Sequence, residues 1–223
     1  MKKLSAVLLF VFLVASFASA ELLTTANPIG QGKWAVLGAA FQDSNVMNTS
    51  GYTALSIGGY AGYGITDKLD AYVQLGQATI SGLPAGVSSS TMGYGLSLKY
   101  GVLDEKTAPV SVAVGAGYKL LTSKMTGMAD GSGNQLLVGI GVSKMMVPFI
   151  PYGGLSYRST NAGLAGGVAD STQIDVTIGS AIAWSAQGAV FVEYTLQSIT
   201  PSSASGISNH SSGQIALGVG YTI

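Results

Sequence analysis

The chain holds one histidine, His210, in the stretch Ile207-Ser208-Asn209-His210-Ser211-Ser212. Serines beside an imidazole raise nucleophilic catalysis, in which the imidazole takes the hydroxyl proton and a third group orients the ring. This stretch carries no carboxylate, so His210 is expected to be a solvated loop residue. Paired acids fare no better. Asp67 and Asp70 flank a turn with Lys68, and Asp104-Glu105-Lys106 has the makeup of another turn; solvated turn polarity accounts for both. Asp43, Asp130 and Asp170 are isolated in loop-like sequence, whereas a calcium site needs six or more converging oxygens. With no cysteine present, disulfides and thiolate metal sites are excluded. The sequence therefore predicts no catalytic residue, no metal site and no cofactor.

The polar residues that remain follow a strand period. From Met92, the residues Met92, Tyr94, Leu96, Leu98, Tyr100 and Val102 alternate with Gly93, Gly95, Ser97, Lys99 and Gly101. From Val110, valines, Ala116, Tyr118 and Leu120 alternate with Ser111, Ala113, Gly115, Gly117 and Lys119. Alternation of this kind puts one residue class on each face of a strand. On the less apolar face lie four charges, Lys99, Lys119, Asp175 and Glu193, and four glutamines, Gln74, Gln135, Gln173 and Gln214. Following strand direction, Lys119 and Asp175 fall at one level and Lys99 and Glu193 at another. Each level then holds one positive and one negative group, which must pair or meet water.

Composition decides what the apolar face meets. Charged residues make up 9% of the chain and hydrophobic residues 48%, against about 25% charged in ordinary soluble domains. The one long apolar block is MKKLSAVLLFVFLVASFASA, with Lys2 and Lys3 in front and Ala18-Ser19-Ala20 behind. That is the pattern of a secretory signal peptide over residues 1–20. Its removal leaves residues 21–223 as one domain with an excess of two acidic over basic residues, which argues against a nucleic-acid partner.

Ten period-two runs follow, near residues 33–41, 52–65, 69–78, 92–102, 110–120, 135–143, 147–157, 172–184, 189–198 and 213–223. Several are about ten residues long, the length a tilted strand needs to cross a bilayer. Short connections at 66–68, 103–108, 144–146 and 185–188 alternate with long ones at 42–51, 79–91, 122–134, 158–171 and 199–212. Even strand number and short turns alternating with long loops are properties of outer-membrane barrels. The expected fold is an all-β transmembrane antiparallel up-and-down β-barrel of ten strands, with eight as the alternative because the first run is irregular. Trp34, Tyr63, Tyr100, Phe149, Trp184 and Tyr221 fall near the short-turn ends, and Tyr94, Tyr118 and Tyr157 near the long-loop ends. All share the lipid-facing parity that two aromatic girdles require. Phe41 has the opposite parity to Trp34 and Val36, which predicts a bulge or a break in register in the first strand. Arg158, at the base of a loop, is the one Arg anchor the loops offer a partner.

The ending Gly218-Val219-Gly220-Tyr221-Thr222-Ile223 resembles the C-terminal assembly signal of bacterial outer-membrane proteins. In it Gly218 is followed after two residues by an aromatic, Tyr221, and then by a terminal apolar residue, Ile223. The stretch from Tyr63 to Asp70 resembles the strand–turn–strand of small outer-membrane barrels of the OmpA/OmpX and porin-like type, and the likeness in architecture spans the mature chain. The resemblance implies residence in the outer membrane, lipid and lipopolysaccharide as surroundings, and handling by the barrel-insertion machinery. The expected function is non-enzymatic: a narrow porin-like channel for small polar solutes or ions. The alternative is a closed barrel that displays loops for adhesion or ligand binding, or that serves an envelope-structural role.

Overall fold

The computed structural model describes residues 25–44, 52–127, 129–164, 167–168, 170–202 and 209–223; the signal peptide expected at residues 1–20 lies outside them. Among the described residues the chain forms eleven β-strands and no helix. They are β1 (Trp34–Ser44), β2 (Thr53–Gly64), β3 (Leu69–Ser81), β4 (Ser89–Leu103), β5 (Ser111–Met125), β6 (Gly131–Ser143), β7 (Phe149–Leu164), β8 (Gly167–Val168), β9 (Ser171–Ala183), β10 (Gly188–Pro201) and β11 (His210–Thr222). The two-residue β8 only folds back on the end of β7. The other ten pair antiparallel with their chain neighbours, and β1 pairs with β11 to close the ring. Closure leaves no edge whose backbone groups would face lipid unpaired. At the seam, the backbone N–H of Trp34 donates to Ile223 and that of Ile223 donates back to Trp34, at 3.0 and 2.7 Å.

The wall is inside out. Val73, Leu75, Leu96, Ile178 and Leu217 point away from the axis, each more than half exposed. An apolar belt of this extent exceeds anything a water-soluble monomer carries and is a surface for lipid. The inward positions hold Ser, Thr, Gln, Gly and charged residues, nearly all buried.

Two expectations need correction. The first strand has no bulge: β1 stays in continuous register with both β2 and β11, and Phe41 points inward at 2% exposure. It joins Tyr152, Phe191 and three alanines in an apolar cluster inside the barrel, with Leu37 and Ile150 against it. The outer connections are also shorter than expected, because the strands run on past the apolar belt. Residues 82–88 and 126–130 suffice to join β3 to β4 and β5 to β6. Asp43, Arg158 and His210, read as loop residues, belong to β1, β7 and β11 and are buried.

The inward glycines have a steric cause. Phe191 pairs across strands with Gly218, Tyr152 with Gly179 and Tyr72 with Gly62. A Cβ on any of these glycines would fall on the partner's aromatic ring. Each ring lies flat over its bare neighbour, so bulky groups fit a narrow lumen.

Candidate functional site: the barrel lumen

The lumen is packed in three regions. Toward the external end, Arg158 and Asp175, both fully buried, form an ion pair at 2.6 Å. Asp175 also accepts hydrogen bonds from Gln173 at 2.6 Å and from Ser156 at 3.3 Å. Around them Gln214 donates to Asp43 at 2.8 Å, Ser212 to Gln197 at 2.6 Å and Gln135 to Thr160 at 3.0 Å. A buried charge survives when it is paired and its remaining lone pairs are occupied, and this layer meets that condition for Asp175.

Lower down, β7, β9, β10, β11 and β1 supply the apolar cluster of Phe41, Tyr152 and Phe191. Glu193 sits above it and accepts from the Tyr152 hydroxyl at 3.2 Å and the Thr195 hydroxyl at 3.3 Å. Lys119 lies across the lumen, lining a small cavity with Phe41, Ser56, Tyr60 and Gln74. At about 10 Å³ this cavity has room for one water molecule and no more.

The third region was not foreseen. Residues 25–32, ahead of β1, cross the inner rim of the short-turn mouth as an extended strap and touch β6, β5, β4, β3 and β2 in turn. Ala26 N–H donates to Ser143 at 3.0 Å, Ser111 donates to the Asn27 side chain, Pro28 packs on Gly101, and Ile29 N–H donates to Asp70 at 3.1 Å. Gly30 then meets Gly64. Lys99, 3.3 Å from Asp70, reaches the carbonyl oxygens of Asn27 at 3.0 Å and Thr25 at 3.4 Å. Positive φ at Gly30 and Gly32 turns the strap into β1, a conformation that side-chain-bearing residues rarely adopt.

All eight inward polar residues taken from the sequence line the lumen: Lys99, Lys119, Asp175 and Glu193 are at most 6% exposed, as are Gln74, Gln135, Gln173 and Gln214. The level-by-level pairing is corrected. Lys99 pairs with Asp70 instead of standing opposite Glu193, and Asp175 pairs with Arg158 instead of Lys119. Asp70 is no solvated turn residue: it is fully buried, sharing inward parity with Tyr72 and Gln74. Parity gave the same signal for Arg158, between Ser156 and Thr160, but the expected loop boundary hid it. His210, also read as solvated, is inward-facing at 7% exposure. The nine aromatic residues from Trp34 to Tyr221 named above stand on the outer wall, with the rings of Trp34 and Tyr63 4.8 Å apart. Gly218, Tyr221 and Ile223 lie at the closing seam. Among the described residues no group of three or more His, Cys, Asp or Glu is arranged to hold a metal ion.

No protein-family model matches the chain, and no curated protein matches it in sequence. Solved structures do. The translocator domain of the autotransporter NalP from Neisseria meningitidis is 12% identical, with 99% of this chain and 96% of that one covered at a TM-score of 0.50. The outer membrane protease OmpT of Escherichia coli is 12% identical over 92% of this chain and 100% of its own, at a TM-score of 0.46. Neisserial surface protein A is 16% identical over 85% and 95%, at 0.40. At these identities the likeness is one of fold. A closed ring of ten antiparallel strands with an apolar exterior and a polar, filled interior is the architecture of a small bacterial outer-membrane β-barrel.

Proposed function

We propose that the protein is a non-enzymatic, closed barrel of the bacterial outer membrane, exported by a signal peptide cleaved after Ala20, whose working surface is its external loop face. One observation carries this. A lumen wide enough for water would leave its lining accessible, yet Arg158 and Asp175 are 0% and Lys119 4% exposed. Loops on a rigid scaffold are where recognition usually resides, and the exposed Lys124–Asp130 pair at 3.8 Å sits on that face. The outer aromatic rows would meet lipid and lipopolysaccharide at the two interfaces, and Gly218, Tyr221 and Ile223 would engage the insertion machinery.

The second reading is the narrow channel for small polar solutes or ions. It is favoured by the small inward residues of β4 and β5, Gly95, Ser97 and Gly117 among them, which bring little bulk to that side of the lumen. Planar-bilayer recording of the folded chain tests the two. A silent bilayer is expected, and steady unitary conductance would overturn the closed barrel. Shortening the external loops and measuring attachment of cells to matrix proteins separates loop display, where attachment falls, from an envelope-structural role, where it does not.

A further inference from the structure

We infer that residues 25–32 are a releasable stopper of the periplasmic mouth, and that the rim they occupy is a binding cradle for an extended peptide. The inference rests on the closed-lumen reading and extends it to how one end is sealed. Three observations carry it.

The strap is outside the hydrogen-bonded ring. Its anchors are side-chain bonds to the rim, packing against it and one backbone bond, from the Gly32 N–H to the Gly64 carbonyl oxygen at 2.9 Å beyond the end of the β1–β2 ladder, so it can leave without unpairing any strand from its neighbours.

The rim is cut to receive it. Inward-facing Gly64, Gly101 and Gly62 stand where a Cβ would strike the Gly30 backbone, the Pro28 ring and the Ile29 side chain respectively. Three bare positions, each opposite a different strap residue, form a groove shaped to one backbone path.

The rim is also charged to receive it. Asp70 accepts the Ile29 N–H, and Lys99 donates to the Thr25 and Asn27 carbonyl oxygens. One acceptor and one donor thus read the main chain of an extended segment, as peptide-binding grooves do. The pair can stay joined when the strap leaves, because Asp70 keeps Lys99 at 3.3 Å and the Tyr72 hydroxyl at 3.1 Å. With the strap gone, the β2–β6 side of the lower lumen would admit water as far as Ser97. The apolar cluster around Phe41 and the Arg158–Asp175 layer would still block passage to the outer end.

The absence of cysteine permits a clean reporter. Ser97→Cys, at a position 4% exposed, is placed in the full chain and its reaction with a small cationic methanethiosulfonate is timed in detergent. It is then combined with Ile29→Pro, which removes the N–H given to Asp70, or with Gly64→Ala, which fills the groove from the wall side. Barrel closure is verified throughout by heat-modifiable gel mobility. Slow labelling of the parent is expected, with acceleration of about tenfold or more in Ile29→Pro, as loss of one hydrogen bond to a carboxylate would give, and a comparable acceleration in Gly64→Ala from the clash with the Gly30 backbone. A synthetic peptide of residues 21–33 is expected to restore protection to a barrel lacking residues 25–31. Unchanged labelling in folded Ile29→Pro and Gly64→Ala barrels would overturn the stopper. Failure of the peptide to protect at saturation would overturn the cradle. Fast labelling of the parent itself would instead overturn the closed lumen, so the two failures are distinguishable.

Discussion

Replacing Asp175 by Asn removes the carboxylate that faces Arg158 at 2.6 Å while leaving shape and volume nearly unchanged. Both side chains are fully buried, so the guanidinium cannot recover its lost partner from bulk water. Breaking a buried pair from one side costs about 3–5 kcal/mol, chiefly the penalty of an uncompensated charge. Asp43 also acts electrostatically on Arg158, which places the expected loss near the lower end, about 3 kcal/mol. The double variant Arg158→Met/Asp175→Leu removes both charges and is expected to recover most of that loss, since apolar replacement of a whole buried pair is often neutral or better. Urea titration in detergent micelles, followed by the fluorescence of Trp34 and Trp184 on the outer wall, measures each variant. If Asp175→Asn stays within about 1 kcal/mol of the parent, or the double variant is less stable than Asp175→Asn, the pair is not coupled and the argument fails.

Gly218→Ala puts a methyl group on the Phe191 ring and within 2.7 Å of the Gly38 carbonyl oxygen. A loss of about 1–3 kcal/mol by overpacking is expected in the same titration, and it should shrink when Phe191 is trimmed to Leu. On the other face of β11, Leu217 is 60% exposed and lies four residues above Tyr221. Leu217→Arg is expected to cost about 2–4 kcal/mol in a bilayer, the value for a cation near the midplane; equal folding in liposomes would contradict a lipid-facing wall. Phe41→Ala is expected to cost about 3–5 kcal/mol as a core cavity, a loss that a Phe41 on a lipid-facing bulge would not show.

Period two made the walls legible. Alternation in the 92–102 and 110–120 runs assigned each residue to lipid or lumen without knowledge of neighbours, because successive side chains on a strand point to opposite faces. The same parity held Asp70, Arg158 and Phe41, yet each was misplaced. Asp70 and Arg158 were credited to a turn and a loop, since polar residues near strand ends look alike whether the strand stops or runs on. For Phe41, parity opposite to Trp34 and Val36 suggests a bulge only if every aromatic ring is assumed to face lipid; the ring instead faces the lumen. The bare Gly218 beside Phe191, and the room it makes, exist only once β10 and β11 are in register.

Face, strand number and the inside-out plan are local properties, set by the order of residues along one strand, and the amino-acid sequence alone determined them. Partnership within the lumen is not local. Lys99 meets Asp70 and Asp175 meets Arg158 because adjacent strands are staggered, and the stagger is set by closing ten tilted strands into one ring. The path of residues 25–32 across the mouth depends on five strands at once. Only the tertiary structure could decide it, since its hydrogen bonds to the rim join residues 32 to 117 positions apart.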